Sequence, residues 1–202
     1  MNYKRFLGAA SAALMIIIAI LTLVPGAGAA SKYKTLYKFT GGVDGEEPFA
    51  SLVFDQAGNL YGTTEAGGAH VGGGSGGGTV FKLAPNADGS WRESVLHSFC
   101  SRTNCVDGAK PAGLVFDFSG NLYGTTESGG DQGCLSGDGC GVVFKLTPNL
   151  NGGWKKAVLH TFADHPGANP GAGLIFDPAG NLYGTTEGAL STTFGSVFAL
   201  AP

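Results

Sequence analysis

The octapeptide Gly-Asn-Leu-Tyr-Gly-Thr-Thr-Glu occurs three times in the chain, and no other feature constrains the fold as strongly. Its copies begin at Gly58, Gly120 and Gly180, so the spacings are 62 residues (58 to 120) and 60 residues (120 to 180). Each copy follows an apolar run that ends in Phe-Asp and a turn of two residues. A unit of this size cannot bury its apolar face alone, so a repeat at a fixed period predicts a stack of similar units.

Short runs rich in Val, Leu, Phe and Tyr alternate with clusters of Gly, Asn, Asp and Pro, a pattern typical of strands joined by turns. We name the four runs of a unit A to D. The predicted strands are A at 50–54, 112–116 and 172–176, B at 60–64, 122–126 and 182–186, C at 79–83, 142–146 and 196–200, and D at 92–99 and 155–162. The third unit has no D run, and an extra D-type run, 33–39, precedes the first unit.

Four-stranded units with short hairpins are typical of propeller blades. The predicted fold class is therefore all-β, with three four-stranded propeller-like blades after an N-terminal signal peptide. The units span about 40–99, 100–162 and 163–202, and 33–39 is the closing strand that supplies the missing fourth strand. Propellers usually close with four to eight blades. We therefore expect a homodimer that closes six blades; the alternatives are an open three-blade monomer and a three-fold β-trefoil or β-prism.

The residues from Pro111 to Asp117 and from Gly120 to Gly124, with their two copies, resemble the inner strands of NHL-type blades. The full pattern, through Gly-Thr-Thr-Glu and Val-Phe-Lys-Leu-Thr-Pro, is similar to the choice-of-anchor tandem repeat GloVer-containing family of exported bacterial proteins. The resemblance covers nearly all of residues 33–202. It implies an extracytoplasmic propeller-like array, and it brings no established activity or catalytic residues.

Residues 1–30 have a basic start, an apolar run and a series of small residues near Ala30, which predicts a secretory signal peptide. An uncleaved membrane anchor is the alternative. The expected location is therefore secreted or periplasmic, with no membrane contact beyond the signal segment. The formal net charge of −3 and the lack of Lys and Arg runs indicate that nucleic acid is not a partner.

The four cysteines lie in two loops of the second unit. In an exported protein they predict two disulfides. We expect nearest neighbours to pair, Cys100 with Cys105 and Cys134 with Cys140. His97 and His160 take the position of Tyr37 in the D runs, and this exchange indicates a packing or hydrogen-bonding role.

Three carboxylates end the B strands on the side that carries the cysteines: Glu65, Glu127 and Glu187. They either bond neighbouring loops, or converge to bind Ca²⁺ or supply an acid and a base. On the other side, repeated turn residues are expected to be structural: Asp55, Asp117, Asp177, Asn59, Asn121 and Asn181. These patterns favour a binding or assembly module for which no catalysis is asserted. The alternative is a metal-dependent hydrolase or lactonase of the NHL-like propeller kind, with the glutamates as axial ligands.

Overall fold

The computed structural model describes residues 32–70, 76–134, 137–163, 167–188 and 194–201. The predicted signal peptide, 1–30, lies outside the described residues. The chain divides into two units, 1–35 and 36–202, and the second contains the repeats. In the first unit, the described residues 32–35 form no strand. Within the described ranges, no helix combines the length and the hydropathy that a bilayer crossing requires.

The described part of the repeat unit contains three separate antiparallel sheets, in which each strand pairs with its neighbours along the chain. The first sheet has β1 (Val53–Phe54), β2 (Leu60–Thr64), β3 (Thr79–Pro85) and β4 (Trp91–Ser98); the second has β5 (Ala109–Phe116), β6 (Leu122–Ser128), β7 (Val142–Pro148) and β8 (Trp154–Thr161); the third has β9 (Ile175–Phe176), β10 (Leu182–Thr186) and β11 (Ser196–Leu200). The sheets therefore have four, four and three strands. The predicted all-β fold of three propeller-like blades is confirmed.

The B strands β2 and β10 and the C strand β11 have the predicted bounds, whereas the A strands differ most from the prediction. The strands β1 and β9 each form only two residue pairs with the B strand beside them. The equivalent strand β5 continues past a register shift between Pro111 and Leu114 to Ala109. A run of apolar residues marks an A strand in the sequence, but only the backbone pairing decides where the strand begins.

A glycine lies at the centre of every B strand because two side chains fill the space where its Cβ atom would be. In the second sheet, a Cβ atom on Gly124 would lie 2.7 Å from Cζ of Phe144 and 3.0 Å from Cδ2 of Leu114. The glycine sits directly opposite Phe144 in the register of β6 and β7. Gly62 and Gly184 have the same neighbours in their own sheets. The repeated Leu-Tyr-Gly-Thr-Thr motif therefore lets a leucine at or just before the A strand and a C-strand phenylalanine meet across the B strand.

Neighbouring sheets are joined by aromatic contacts that repeat from joint to joint. Between the first and second sheets, the rings of Phe99 and Phe144 lie 5.0 Å apart at 67°, and those of Tyr61 and Phe116 lie 5.0 Å apart at 90°. Between the second and third sheets, Phe162 with Phe198 and Tyr123 with Phe176 give 5.0 Å at 68° and 5.2 Å at 90°. Edge-to-face rings at these distances add to the stability that burial of their area provides. The described core thus has one cluster at each of these two joints and a third on the first sheet, under residues that precede it.

Hydrogen bonds repeat across the joints in the same way. The hydroxyl of Thr63 donates to the carbonyl oxygen of Ala112 (3.0 Å), and that of Thr125 donates to the carbonyl oxygen of Ala172 (2.7 Å). Both threonines are buried. The first threonine of the repeated Gly-Thr-Thr motif is therefore part of the contact between sheets.

The residues Leu36 to Phe39, which we name the leading segment, pack against the free face of the first sheet. Three of them contact an apolar cluster of that sheet: Leu36, Tyr37 and Phe39 pack on Leu60, Phe81 and Leu83. The closing strand predicted at 33–39 is not a strand in the single chain, since the structure assigns none to residues 32–40. The physical reason is that a strand needs a neighbour to take its backbone hydrogen bonds, and here the segment makes only side-chain contacts with its own sheet.

Candidate functional site

Each of the three A–B turns is closed by the same hydrogen bonds to its aspartate. Oδ1 of Asp117 accepts bonds from the backbone N–H groups of Ser119 and Asn121, both at 2.9 Å. Its Oδ2 accepts bonds from the Asn121 amide (2.6 Å) and the Tyr123 hydroxyl (3.1 Å). Burial acts to raise the pKa of Asp117, but these bonds outweigh it and hold that pKa below its ordinary value. The same side-chain bonds recur around two other aspartates: Asp55 with Asn59 and Tyr61, and Asp177 with Asn181 and Tyr183. These carboxylates therefore hold their own turns.

Both disulfides lie in the long loops of the second unit, at the strand ends opposite to the A–B turns. Cys100 is bonded to Cys105 and Cys134 to Cys140, in agreement with the nearest-neighbour pairing. The carbonyl oxygen of Cys105 accepts a bond from the backbone N–H group of Gly130 (3.0 Å), which joins the two loops. Cys134 and Cys140 are buried in the cluster between the second and third sheets.

The three repeated glutamates bond neighbouring loops through their backbones. The N–H group of Glu65 donates to the carbonyl oxygen of Glu47 (3.0 Å). The carbonyl oxygen of Glu127 accepts a bond from the side-chain amide of Asn169 (2.9 Å), and the N–H group of Glu187 donates to the carbonyl oxygen of Asn169 (3.2 Å). Among the residues that the structure describes, no group of three or more His, Cys, Asp or Glu side chains is placed to hold a metal ion. The described structure therefore does not bring these three carboxylates together as a ligand set.

A buried group of three titratable side chains links the first and second sheets. This histidine cluster consists of His97 from β4, Asp107 from the loop before β5, and Lys156 from β8. Oδ2 of Asp107 lies 3.8 Å from Nε2 of His97 and 4.0 Å from Nζ of Lys156. The Lys156 ammonium also donates to the carbonyl oxygen of Asp107 and lies 4.8 Å from the centre of the Phe99 ring.

The electrostatics of the histidine cluster follow from its burial. Burial and, to a smaller extent, the charge of Lys156 lower the pKa of His97, Asp107 opposes both, and the pKa is about 4 as a result. Burial likewise lowers the pKa of Lys156 to about 8 against the attraction of Asp107. The imidazole is therefore neutral at pH 7, and its buried Nε2 has no hydrogen-bond partner among the described atoms. An orphaned polar atom of this kind costs stability.

Sequence reasoning found His97 but missed its partners. The equivalent group at the leading segment consists of Tyr37, Asp44 and Glu93, with a bond of 3.0 Å from the Tyr37 hydroxyl to Oδ2 of Asp44. Burial, together with the charge of Asp44, raises the pKa of Glu93 to about 7. The available signal was an Asp-Gly pair that precedes a proline by the same distance in two units, at Asp44 and at Asp107.

A cavity of about 1200 Å³ opens between the A strands and the A–B turns of the three units. Its wall includes three exposed apolar side chains, Phe54, Phe118 and Ile175, one from each unit. The three turn aspartates also line it, but their oxygens are held by the turns. The cavity lies on the side opposite to the disulfide loops, because the A–B turns and the B–C loops are at opposite ends of the B strands. We name this wall the concave surface.

The chain is similar to a family of repeat proteins and, more weakly, to a solved structure. The X-ray structure of a presumed gluconolactonase matches with a TM-score of 0.45 and 23% sequence identity, over 75% of this chain and 43% of that chain. The chain thus spans less than half the length of that protein. No curated protein matches it. The sequence profile of the Gloeobacter/Verrucomicrobia repeat matches residues 23–202, which include every described residue and every copy of the octapeptide. The chain therefore belongs to the Gloeobacter/Verrucomicrobia repeat family, the family that the GloVer resemblance predicted.

Proposed function

We propose that this protein is an exported binding module whose ligand site is the concave surface. The observation that carries the proposal is the clustering of Phe54, Phe118 and Ile175, which are all largely exposed, in the wall of one cavity. Single exposed apolar residues are common on proteins, whereas several on one concave surface are typical of an interaction site. Export is supported by the two disulfides, which persist in oxidising compartments.

The chemistry of the wall favours a ligand with an apolar body. The carboxylates in the wall accept bonds from their own turns, so they have little capacity left for a cation or for proton transfer. Recognition would then rest on the aromatic and aliphatic side chains. A ligand that inserts an aromatic or aliphatic group between the turns of neighbouring units fits this arrangement.

The test uses the neutral dye Nile red, whose fluorescence rises in an apolar site. We expect the purified protein to enhance it, and Phe118→Ser to reduce the enhancement several-fold. Leu150→Ser is the matched control, because Leu150 is equally exposed but lies in the β7–β8 hairpin away from the cavity wall. Equal fluorescence of the Phe118 variant and the unchanged protein would contradict the proposal.

A second assay separates binding from the catalytic alternative. The purified protein is incubated with glucono-δ-lactone, with and without millimolar Ca²⁺, and hydrolysis is compared with buffer alone. A binding module leaves the rate of hydrolysis unchanged. Turnover above buffer would instead support a lactonase, the activity that the name of the solved relative states.

A further inference from the structure

The trailing face of the third sheet carries the same side chains as the faces that form the internal joints, but here they are exposed. Val80 and Val143, at the same position of their C strands, are fully buried at 0% exposure, whereas Val197 is 80% exposed. Thr63 and Thr125 are buried by their bonds to the next sheet, whereas Thr185 is exposed. The trailing face therefore has the composition of an interface without the next sheet that would cover it.

The leading face of the first sheet is the complementary half of the same joint. Leu114 and Leu174 are buried, at 6% and 4% exposure, by the sheets that precede them, whereas the equivalent Leu52 is 47% exposed. Phe54 is exposed too, whereas the equivalent Phe116 packs on a tyrosine of the preceding sheet and still lines the concave surface, as Phe54 would in the dimer. The leading face thus lacks the covering side chains of a preceding sheet, and the trailing face of the third sheet carries side chains of that kind.

The leading segment already has the side-chain geometry of a D strand. The rings of Phe39 and Phe81 lie 4.9 Å apart at 64°, which matches the D-strand to C-strand pairs of the two internal joints. Tyr37 meets Phe39 edge to face at 5.1 Å, as His97 meets Phe99 at 4.8 Å. The segment is thus held against the first sheet as the last strand of a preceding sheet would be.

Among the residues that the structure describes, no strand pairs with the outer side of β11 in the third sheet. β11 is the edge of this sheet, whereas the equivalent strands β3 and β7 each pair with a D strand. A cavity of about 300 Å³ runs along β11, lined by Phe198 and Leu200 and by the end of the second sheet around Phe162. A strand laid there would fill it with apolar side chains.

We propose that a second copy of this chain completes both flanks, so that the leading segment of each copy becomes the fourth strand of the third sheet of the other. The register follows from the two complete sheets, where His97 faces Val80 and Ser98 faces Thr79. By equivalence, Tyr37 of one copy lies opposite Val197 of the other, and Lys38 lies opposite Ser196. The hydroxyl of Thr185 then donates to the carbonyl oxygen of Ala50 in the other copy.

A second copy fits better than an unrelated partner because the two flanks complement each other group by group. Three sheets from each chain give six, which is within the usual range of closed propellers. The ring has two-fold symmetry, and its two new joints are identical. Two such joints also give the β11 strand of each copy a pairing partner at the same time.

The first test measures the mass of the full chain, purified in the form that the expression host produces, by light scattering at tens of micromolar. We expect the mass of a dimer for the unchanged protein and the mass of a monomer for Val197→Asp. Val106→Asp is the matched control, since Val106 is exposed on the disulfide loop, and it should remain dimeric. A monomeric mass for the unchanged protein, or a polymer without a fixed size, would overturn the proposal.

The second test probes the register with a new disulfide. The variant with Lys38→Cys and Ser196→Cys should run as a covalent dimer on a non-reducing gel. Lys38→Cys with Val197→Cys, displaced by one residue, should crosslink far less. A crosslink within one chain would show closure of three sheets, and equal crosslinking of both variants would show an unspecific contact. Either outcome would contradict the proposed joint.

Discussion

At the scale of single residues, the repeat motif records where side chains cross between strands. The glycine of Leu-Tyr-Gly-Thr-Thr is required by its neighbours, and its backbone φ is not in the left-handed region. The sequence shows that Gly62, Gly124 and Gly184 repeat, but it cannot show why. The reason is the ring of the opposing phenylalanine, which only the strand register reveals.

The crossing predicts an energetic coupling between Gly124 and Phe144. Gly124→Ala should lower the free energy of unfolding by about 1–3 kcal/mol, because the new methyl group overlaps the buried Phe144 ring. Phe144→Leu replaces that ring by a smaller side chain and is destabilising alone. The double variant should lose less free energy of unfolding than the sum of the two single losses, by at least about 0.5 kcal/mol, as measured by urea unfolding. Strict additivity would show that the methyl group is accommodated elsewhere.

The histidine cluster predicts a pH dependence of stability. Burial lowers the pKa of His97 to about 4, below its value of about 6.5 in the unfolded chain. The unfolded state therefore binds more protons between these values, and the stability that the neutral imidazole contributes above pH 6.5 is lost as the pH falls toward 4. Glu93, whose pKa is raised to about 7, acts in the opposite direction and is common to all the variants compared.

His97→Tyr tests this dependence, because Tyr37 occupies the equivalent position and bonds Asp44. The variant should have the higher melting temperature, and its advantage should be larger at pH 4.5 than at pH 7, since only the histidine must take up a proton. Differential scanning calorimetry at both pH values checks this. His160→Tyr is the control, because His160 is exposed. An advantage that does not change with pH would show that protonation of His97 does not affect stability.

At the scale of elements, the two disulfides close loops of similar size but in different surroundings. The sequence separations are five and six residues, so in the chain-entropy account each crosslink contributes about 2 kcal/mol. Cys134 and Cys140 belong to the core between the second and third sheets, whereas Cys105 ends a short 3-10 turn, Thr103–Cys105, with none of its residues buried.

Replacing both cysteines of one pair by serine should therefore have unequal effects. Loss of the Cys134–Cys140 pair should lower the melting temperature more than loss of the Cys100–Cys105 pair, because the first also places two hydroxyl groups in an apolar cluster. Thermal unfolding followed by circular dichroism makes the comparison. The reverse order would show that the Cys100–Cys105 loop, in which Cys100 is buried as well, contributes more than the core contacts of the other pair.

The elements also show how far the sequence leads. The strands β2, β10 and β11 could be predicted to the residue, because apolar alternation and turn residues mark both of their ends. The extent of β5 could not, since its added residues pair across a register shift that leaves no pattern in the sequence. For the same reason the sequence placed His97 on a D strand, but it gave no sign that Lys156 of the next unit would lie beside it.

At the scale of the whole molecule, stability is shared between the sheets and their joints, as in other repeat proteins. The number of units could be counted from the sequence alone, whereas the concave surface could not, because its three apolar side chains stand at different positions of their units. The leading segment was recognised by its likeness to a D strand. Its docking on the first sheet depends on tertiary contacts that only the structure provides.

If two copies join as proposed, the complementary flanks make assembly a competition between cyclisation and chain growth. Once one joint between two chains has formed, the second joint is intramolecular, and it closes at an effective concentration that is often in the millimolar range for short tethers. Dilute conditions therefore favour the finite ring, and every free end that meets another molecule first extends a linear oligomer. For the proposed dimer, slow production therefore favours a soluble ring, because the free flanks of two joined chains then meet each other before a third chain binds.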